Sequence, residues 1–316
     1  MQALSNPGAP CVVVLATGGT IAGTAASATD SLGYRSAQLG VDALIAAVPV
    51  LAGRALEAEQ VAQIDSKDMD FGVWRALAHR VEIHLARPEV AGIVVTHGTD
   101  TLEETAYLLQ RVLAPSKPVV LTAAMRPATA LQADGPQNLL DAVTLAAEPG
   151  ARGVLAVVAG RVHGAFDVRK SQTYRLDAFG SGDPGVLAAV EGAAVRRFRD
   201  WPTGAALGTA LLDAAPWPRV DIVTSHAGAD GRIVDALLAQ GVDGLVVAGT
   251  GNATLHHALE AALLRAAAQG VEVRCCTRVP EGGVHPGAVR ALPLGQAATP
   301  QQERVALLLD LLQRRR

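Results

Sequence analysis

This sequence predicts an α/β protein of two unequal α/β domains, each with a mainly parallel sheet covered by helices, joined by a linker. Three observations predict it. Short apolar runs alternate with helical patterns from residue 11 to residue 158, the rhythm is lost across 196–219, and it restarts at 220. Strands that alternate with helices form βαβ units, whose parallel strands are buried on both faces and read as continuous apolar runs. With 316 residues, half of them hydrophobic, the chain can bury one large core or two ordinary ones.

The first strand is "CVVVLA" (11–16), followed by strands at 58–64, 92–96, 118–122 and 153–158. Between them, helical periodicity covers 70–86, 101–114 and 136–147. The stretch 160–195 is less regular, with repeated Gly and Asp and the short apolar run "GVLAAV". Residues 196–219 carry three prolines and two tryptophans and read as a linker, which sets the first domain at 1–195 and the second at 220–316. The second domain runs strand 220–224, helix 231–239, strand 244–248, helix 253–269 and strand 271–275. A last helix starts with Thr299 as cap and Pro300 at its first position. This pattern is of the flavodoxin or Rossmann kind.

Composition excludes several function classes. Net charge is −3, and three Trp, three Tyr and four Phe leave little for stacking on bases, so nucleic acid is not an expected partner. No run reaches the 18 or so apolar residues of a membrane span, and no basic residue precedes the first apolar run, as a secretory leader would require. Cys11, Cys275 and Cys276 make an odd count without metal-ligand spacing, which suits a reducing cytoplasm and no disulfide. His256 and His257 point to different faces of a helix, and no His-x-x-x-His or Cys-x-x-Cys occurs, so no metal is expected. The turn "ATGGTIAG" (16–23) lacks both the third glycine of a dinucleotide fingerprint and the Lys of a P-loop, so no nucleotide cofactor is expected either.

Polar residues gather where strands end, the edge at which open α/β sheets bind ligands. Thr20 follows Gly18 and Gly19 after strand one; it is either a turn hydroxyl or a nucleophile. Ser66 and Lys67 lie in "IDSKDM" (64–69) after another strand. His97, Thr99, Asp100 and Thr101 sit in "VVTHGTDTLEETAYLL" (94–109), where Asp100 or Thr101 could equally cap the helix. Lys170 lies in "DVRKSQT" (167–173), a solvated surface lysine or a proton acceptor. Asn252, in "AGTGNAT" (248–254), could cap the helix that follows.

These motifs carry a resemblance. "ATGGTIAG", "VVTHGTDTLEETAYLL", "AAMRPATALQADGPQNL", "DVRKSQT" and "AGTGNAT" occur in the order seen in the bacterial L-asparaginase/glutaminase-asparaginase family, and "EETAYLL" with "AMRP" is similar to its high-affinity branch. The resemblance implies hydrolysis of L-asparagine to L-aspartate and ammonia, without cofactor, with glutaminase side activity. It implies that Thr20 is the nucleophile, polarised by Tyr34, and that Thr99, Asp100 and Lys170 form a second triad. Ser66, with Lys67 beside it, would take the α-carboxylate, Asp100 the α-ammonium, and backbone N–H groups of Thr99 and Ala123 the oxyanion. His97 would support the turn. A homodimer or homotetramer with shared active sites is implied, with Asn252 reaching a neighbour's site. The family often adds an intersubunit Glu; the matching place here is Val289, and the only carboxylate in 281–295 is Glu281. A non-catalytic amino-acid binder or sensor on the same fold is the alternative.

Overall fold

The computed structural model describes residues 10–30, 32–285, 287 and 290–316; the N-terminal nine residues and Val289 lie outside that set. Two compact units divide between Thr209 and Ala210, inside the proline-containing stretch.

The first unit contains β1 (Cys11–Gly18), α1 (Val41–Ala46), β2 (Leu56–Ile64), α2 (Phe71–Leu85), β3 (Val90–Thr96) and α3 (Leu102–Leu113). It continues with β4 (Pro118–Thr122), α4 (Gly135–Ala146), β5 (Gly153–Val158), β6 (Arg161–Gly164), β7 (Arg169–Lys170), β8 (Phe179–Gly180), β9 (Ala188–Glu191) and β10 (Ala194–Arg197). Eight strands form one sheet in the order β10-β9-β6-β5-β4-β3-β1-β2, and β7 pairs with β8 apart from it. From β2 to β5 all neighbours are parallel. The order β2-β1-β3-β4-β5 is flavodoxin-like, so its topological switch point lies between β1 and β3.

Val13 to Leu15, Ile93 to Val95 and Val119 to Leu121 are fully buried, as strands covered on both faces must be. Each such Val or Leu contributes roughly 1.5–3 kcal/mol by leaving water. At the edge, β2 turns Glu57 and Glu59 outward to ion pairs with Arg87 and Arg80, both at 2.6 Å. Charge along an exposed edge discourages pairing with another chain.

The irregular 160–195 stretch is an antiparallel extension. β5 turns into β6 through Ala159 and Gly160 (φ 50° and 71°), and β9 into β10 through Gly192 and Ala193 (φ 57° and 65°). Two consecutive positive φ values suit the right-handed twist of a tight hairpin. Alanine is a poor signal for that conformation, which hides both hairpins from a sequence reading. The six-residue α1 is too short to show periodicity.

The second unit is a parallel sheet of β11 (Val220–Thr224), β12 (Gly244–Gly249) and β13 (Glu272–Thr277), with α5 (Arg232–Ala239), α6 (His257–Ala268) and α7 (Pro300–Arg314). Thr299 caps α7, its side chain accepting the Gln302 N–H. Helix α6 begins four residues later than the periodicity predicts, because His256 rather than Asn252 is its cap. Among the described residues, no helix is long and apolar enough to cross a membrane.

Candidate active site

Three strand-end turns meet at the switch point, and glycine lets them meet. Gly18 and Gly19 have φ of 109° and 81°. A Cβ on Gly19 would stand 2.5 Å from the Gly98 backbone, and one on Gly98 would strike Ser66 Oγ. The Gly19 N–H also donates to Ile64 O at 2.9 Å, tying the turn after β1 to the end of β2. The turns after β1, β2 and β3 thus pack backbone on backbone.

On the first turn, Thr20 Oγ1 lies 2.7 Å from the Tyr34 hydroxyl. On the second, Ser66 is buried; its Oγ accepts the Asp100 N–H at 3.2 Å and its carbonyl accepts the Thr101 hydroxyl at 2.8 Å. On the third, Lys170 Nζ donates to Thr99 Oγ1 at 2.9 Å and to Asp100 Oδ1 at 2.6 Å. Neither Asp100 nor Thr101 spends its side chain on capping α3. Thr99 and Asp100 of this turn line a cavity instead.

His97 is completely buried beneath this turn, and burial pushes its imidazole down to about 4. It is therefore neutral, with Nδ1–H donating to Gly98 O at 2.7 Å and Nε2 accepting from Thr105 at 3.0 Å. Thr105 in turn accepts from the Trp74 indole at 2.8 Å. This chain of bonds fixes the turn and occupies both ring nitrogens.

Lys170 stands on the short β7–β8 ribbon, and its backbone N–H donates to Glu103 Oε2 at 3.1 Å. Burial pushes the Glu103 carboxyl up to about 7; Glu104 adds to the effect, while the Lys170 N–H and Arg169 oppose it. Between its ordinary 4.5 and about 7, the folded chain holds a proton there that the unfolded chain has lost, so stability falls as pH rises through this window. Glu103→Gln keeps an acceptor for Lys170 and is expected to stabilise the fold by roughly 3 kcal/mol at pH 8 and hardly at all at pH 4.5. Urea midpoints at the two pH values check this, and an equal gain at both would refute the cause given.

Thr20, Tyr34, Ser66, Thr99, Asp100 and Lys170 line one cavity of about 250 Å³. Asp65, Leu32, Ala124 and Met125 also line it, as do Thr173 and Tyr174, the latter under the Arg126 guanidinium at 3.9 Å. No sequence motif points to these six by itself, although Asp65 stands beside Ser66 in "IDSKDM". Lys67 is not among the lining residues; its ammonium pairs with Asp65 at 2.7 Å and reaches Asp68 at 3.5 Å. Ala123 is fully buried and its carbonyl accepts from Asn138 at 2.9 Å. Asn252 lies in the second unit, where Oδ1 accepts the His285 N–H at 2.7 Å, and it lines a different cavity of about 300 Å³. Among the described residues, no group of three or more His, Cys, Asp or Glu could hold a metal ion.

The arrangement offers a polarised hydroxyl and a lysine-bonded hydroxyl facing one small polar space, the equipment of nucleophilic acyl transfer. Residues 11–203 match the family model described as "Asparaginase, N-terminal", and 219–315 that of the "Glutaminase/Asparaginase C-terminal domain". The chain is 37% identical to L-asparaginase 2 of Bacillus subtilis (strain 168), covering 96% of this chain and 82% of that protein. It is 39% identical to a protein of Haemophilus influenzae named "Probable L-asparaginase periplasmic", over 96% and 89%. A solved structure, a probable cytoplasmic L-asparaginase from Campylobacter jejuni, is similar with a TM-score of 0.89 and 35% identity, covering 95% of this chain and 94% of that one.

Proposed function

The chain belongs to the asparaginase family, and from that premise we propose that it is an L-asparaginase whose nucleophile is Thr20. The observation that carries the proposal is that the Thr20–Tyr34 pair and the Thr99–Lys170–Asp100 group face the same cavity. Thr20 Oγ attacks the side-chain amide carbon of L-asparagine while Tyr34 polarises its hydroxyl. The carbonyl oxygen gains negative charge, which we assign to the backbone N–H groups of Thr99 and Ala123. The C–N bond breaks, the nitrogen takes the proton given up by Thr20, and ammonia leaves an aspartyl ester on Thr20. Water activated by Thr99 and Lys170 then attacks the ester; its proton returns to Thr20 Oγ and aspartate departs. Ser66 and neighbouring N–H groups hold the α-carboxylate. No step calls for a cofactor.

Ammonia release from asparagine and glutamine, from micromolar to tens of millimolar substrate, tests this reading. Release from asparagine is expected, with weaker release from glutamine; silence with both would favour the amino-acid binder. The three cysteines are free thiols, which supports a reducing cytoplasmic setting, although the Haemophilus relative is named periplasmic.

We also propose a homodimer or homotetramer in which Asn252 completes a neighbour's site. Mixing inactive Thr20→Ala chains with inactive Asn252→Ala chains is then expected to restore part of the activity. No recovery after verified subunit exchange would count against shared sites.

A further inference from the structure

Two of the residues lining the cavity are aspartates, Asp65 and Asp100, against one lysine, Lys170. Asp100 already spends Oδ1 on Lys170. The substrate's α-ammonium carries three donors, more than the remaining oxygen of Asp100 satisfies. Asp65 sits one residue before Ser66, on the turn that Ser66 and the Asp100 N–H hold together. Burial pushes the Asp65 carboxyl up, but hydrogen bonds from Lys67 and Ser36 together with the Lys67 charge outweigh it and keep the carboxyl below its ordinary range, so it is an anion. Its counterion is exposed and has an alternative partner. The Lys67 side chain is 61% exposed, lies outside the cavity lining, and has Asp68 as a second carboxylate in reach.

We propose that Asp65 is a specificity-determining residue that shares the substrate's α-ammonium with Asp100, and that Lys67 is the counterion this ammonium displaces. The inference rests on the asparaginase reading and extends it to a residue outside the triads. One ammonium replaces another, so the charge balance of the turn is kept, and an exposed ion pair is lost cheaply. Lys67 moves to Asp68. A substrate without an α-ammonium cannot displace Lys67 and gains nothing from Asp65. The site thus discriminates for an α-amino acid without a carboxylate at position 289.

The test compares kcat/KM for L-asparagine with that for succinamate, its deaminated analogue. Asp65→Asn is expected to lower the asparagine-to-succinamate ratio by about tenfold or more, the worth of a charge-assisted hydrogen bond. Lys67→Gln, which removes the competing cation, is expected to raise it. An unchanged ratio in Asp65→Asn, or equal losses for both substrates, would overturn the proposal and leave Asp65 a support of its turn. Calorimetric binding of L-aspartate against succinate reads the same contact without turnover. If the wild type releases no ammonia yet Asp65→Asn weakens only aspartate, the hydrolytic reading fails and this inference stands; if aspartate and succinate weaken alike, the inference fails by itself.

Discussion

Thr20→Ala is expected to lower turnover at least about a thousandfold, some 4 kcal/mol of transition-state stabilisation. In the proposed mechanism the oxygen removed is the one that bonds to the amide carbon, so no neighbour can take over its part. The fold is expected to survive. Thr20 is 7% exposed, and its hydroxyl contact is to Tyr34, itself a residue of the cavity. Losing one such hydrogen bond costs about 1 kcal/mol. Steady-state ammonia release, with circular dichroism and a urea midpoint on the same preparation, separates the two effects. Near-normal kcat would remove Thr20 from the chemistry; a collapsed midpoint would make it a structural residue.

Thr99→Val and Lys170→Met are expected to cost turnover about as much as each other, again by about a thousandfold, and the double variant little more than either. The reason is geometric. Lys170 Nζ bridges Thr99 Oγ1 and Asp100 Oδ1, so either substitution leaves the other residue without the contact through which it acts. Groups that act as one unit give non-additive losses. Losses that multiply in the double variant would show that Thr99 and Lys170 contribute separately.

Much of this fold is legible because its strands are long, apolar runs covered on both faces. Val12 to Ala16 and Val154 to Val158 are of that kind. Periodicity fails where elements are short: α1 has six residues, β7 and β8 two each. It fails too at the Ala159-Gly160 and Gly192-Ala193 hairpins, whose alanines sit at positive φ. Motif order brings out Thr20, Thr99, Asp100 and Lys170, which the fold gathers from positions 150 residues apart. Asp65 escapes notice because a carboxylate two residues from a lysine reads as a surface ion pair; only the fold shows that Asp65, and not Lys67, lines the cavity. Glu103 reads as a favourable acid in the first turn of a helix, and its burial against the Lys170 backbone comes from the β7–β8 ribbon, which no local pattern announces.

The proposed covalent catalysis by Thr20 makes a demand that product analysis can meet directly. L-Asparagine and the β-methyl ester of L-aspartate have different leaving groups but, on this proposal, pass through the same aspartyl ester on Thr20. With hydroxylamine present, that ester divides between aspartate and the β-hydroxamate. The ratio of the two products is expected to be identical from both substrates at every hydroxylamine concentration, and both products should vanish in Thr20→Ala. A ratio that depends on the leaving group, or hydroxamate formation that persists without Thr20, would contradict a shared Thr20 ester.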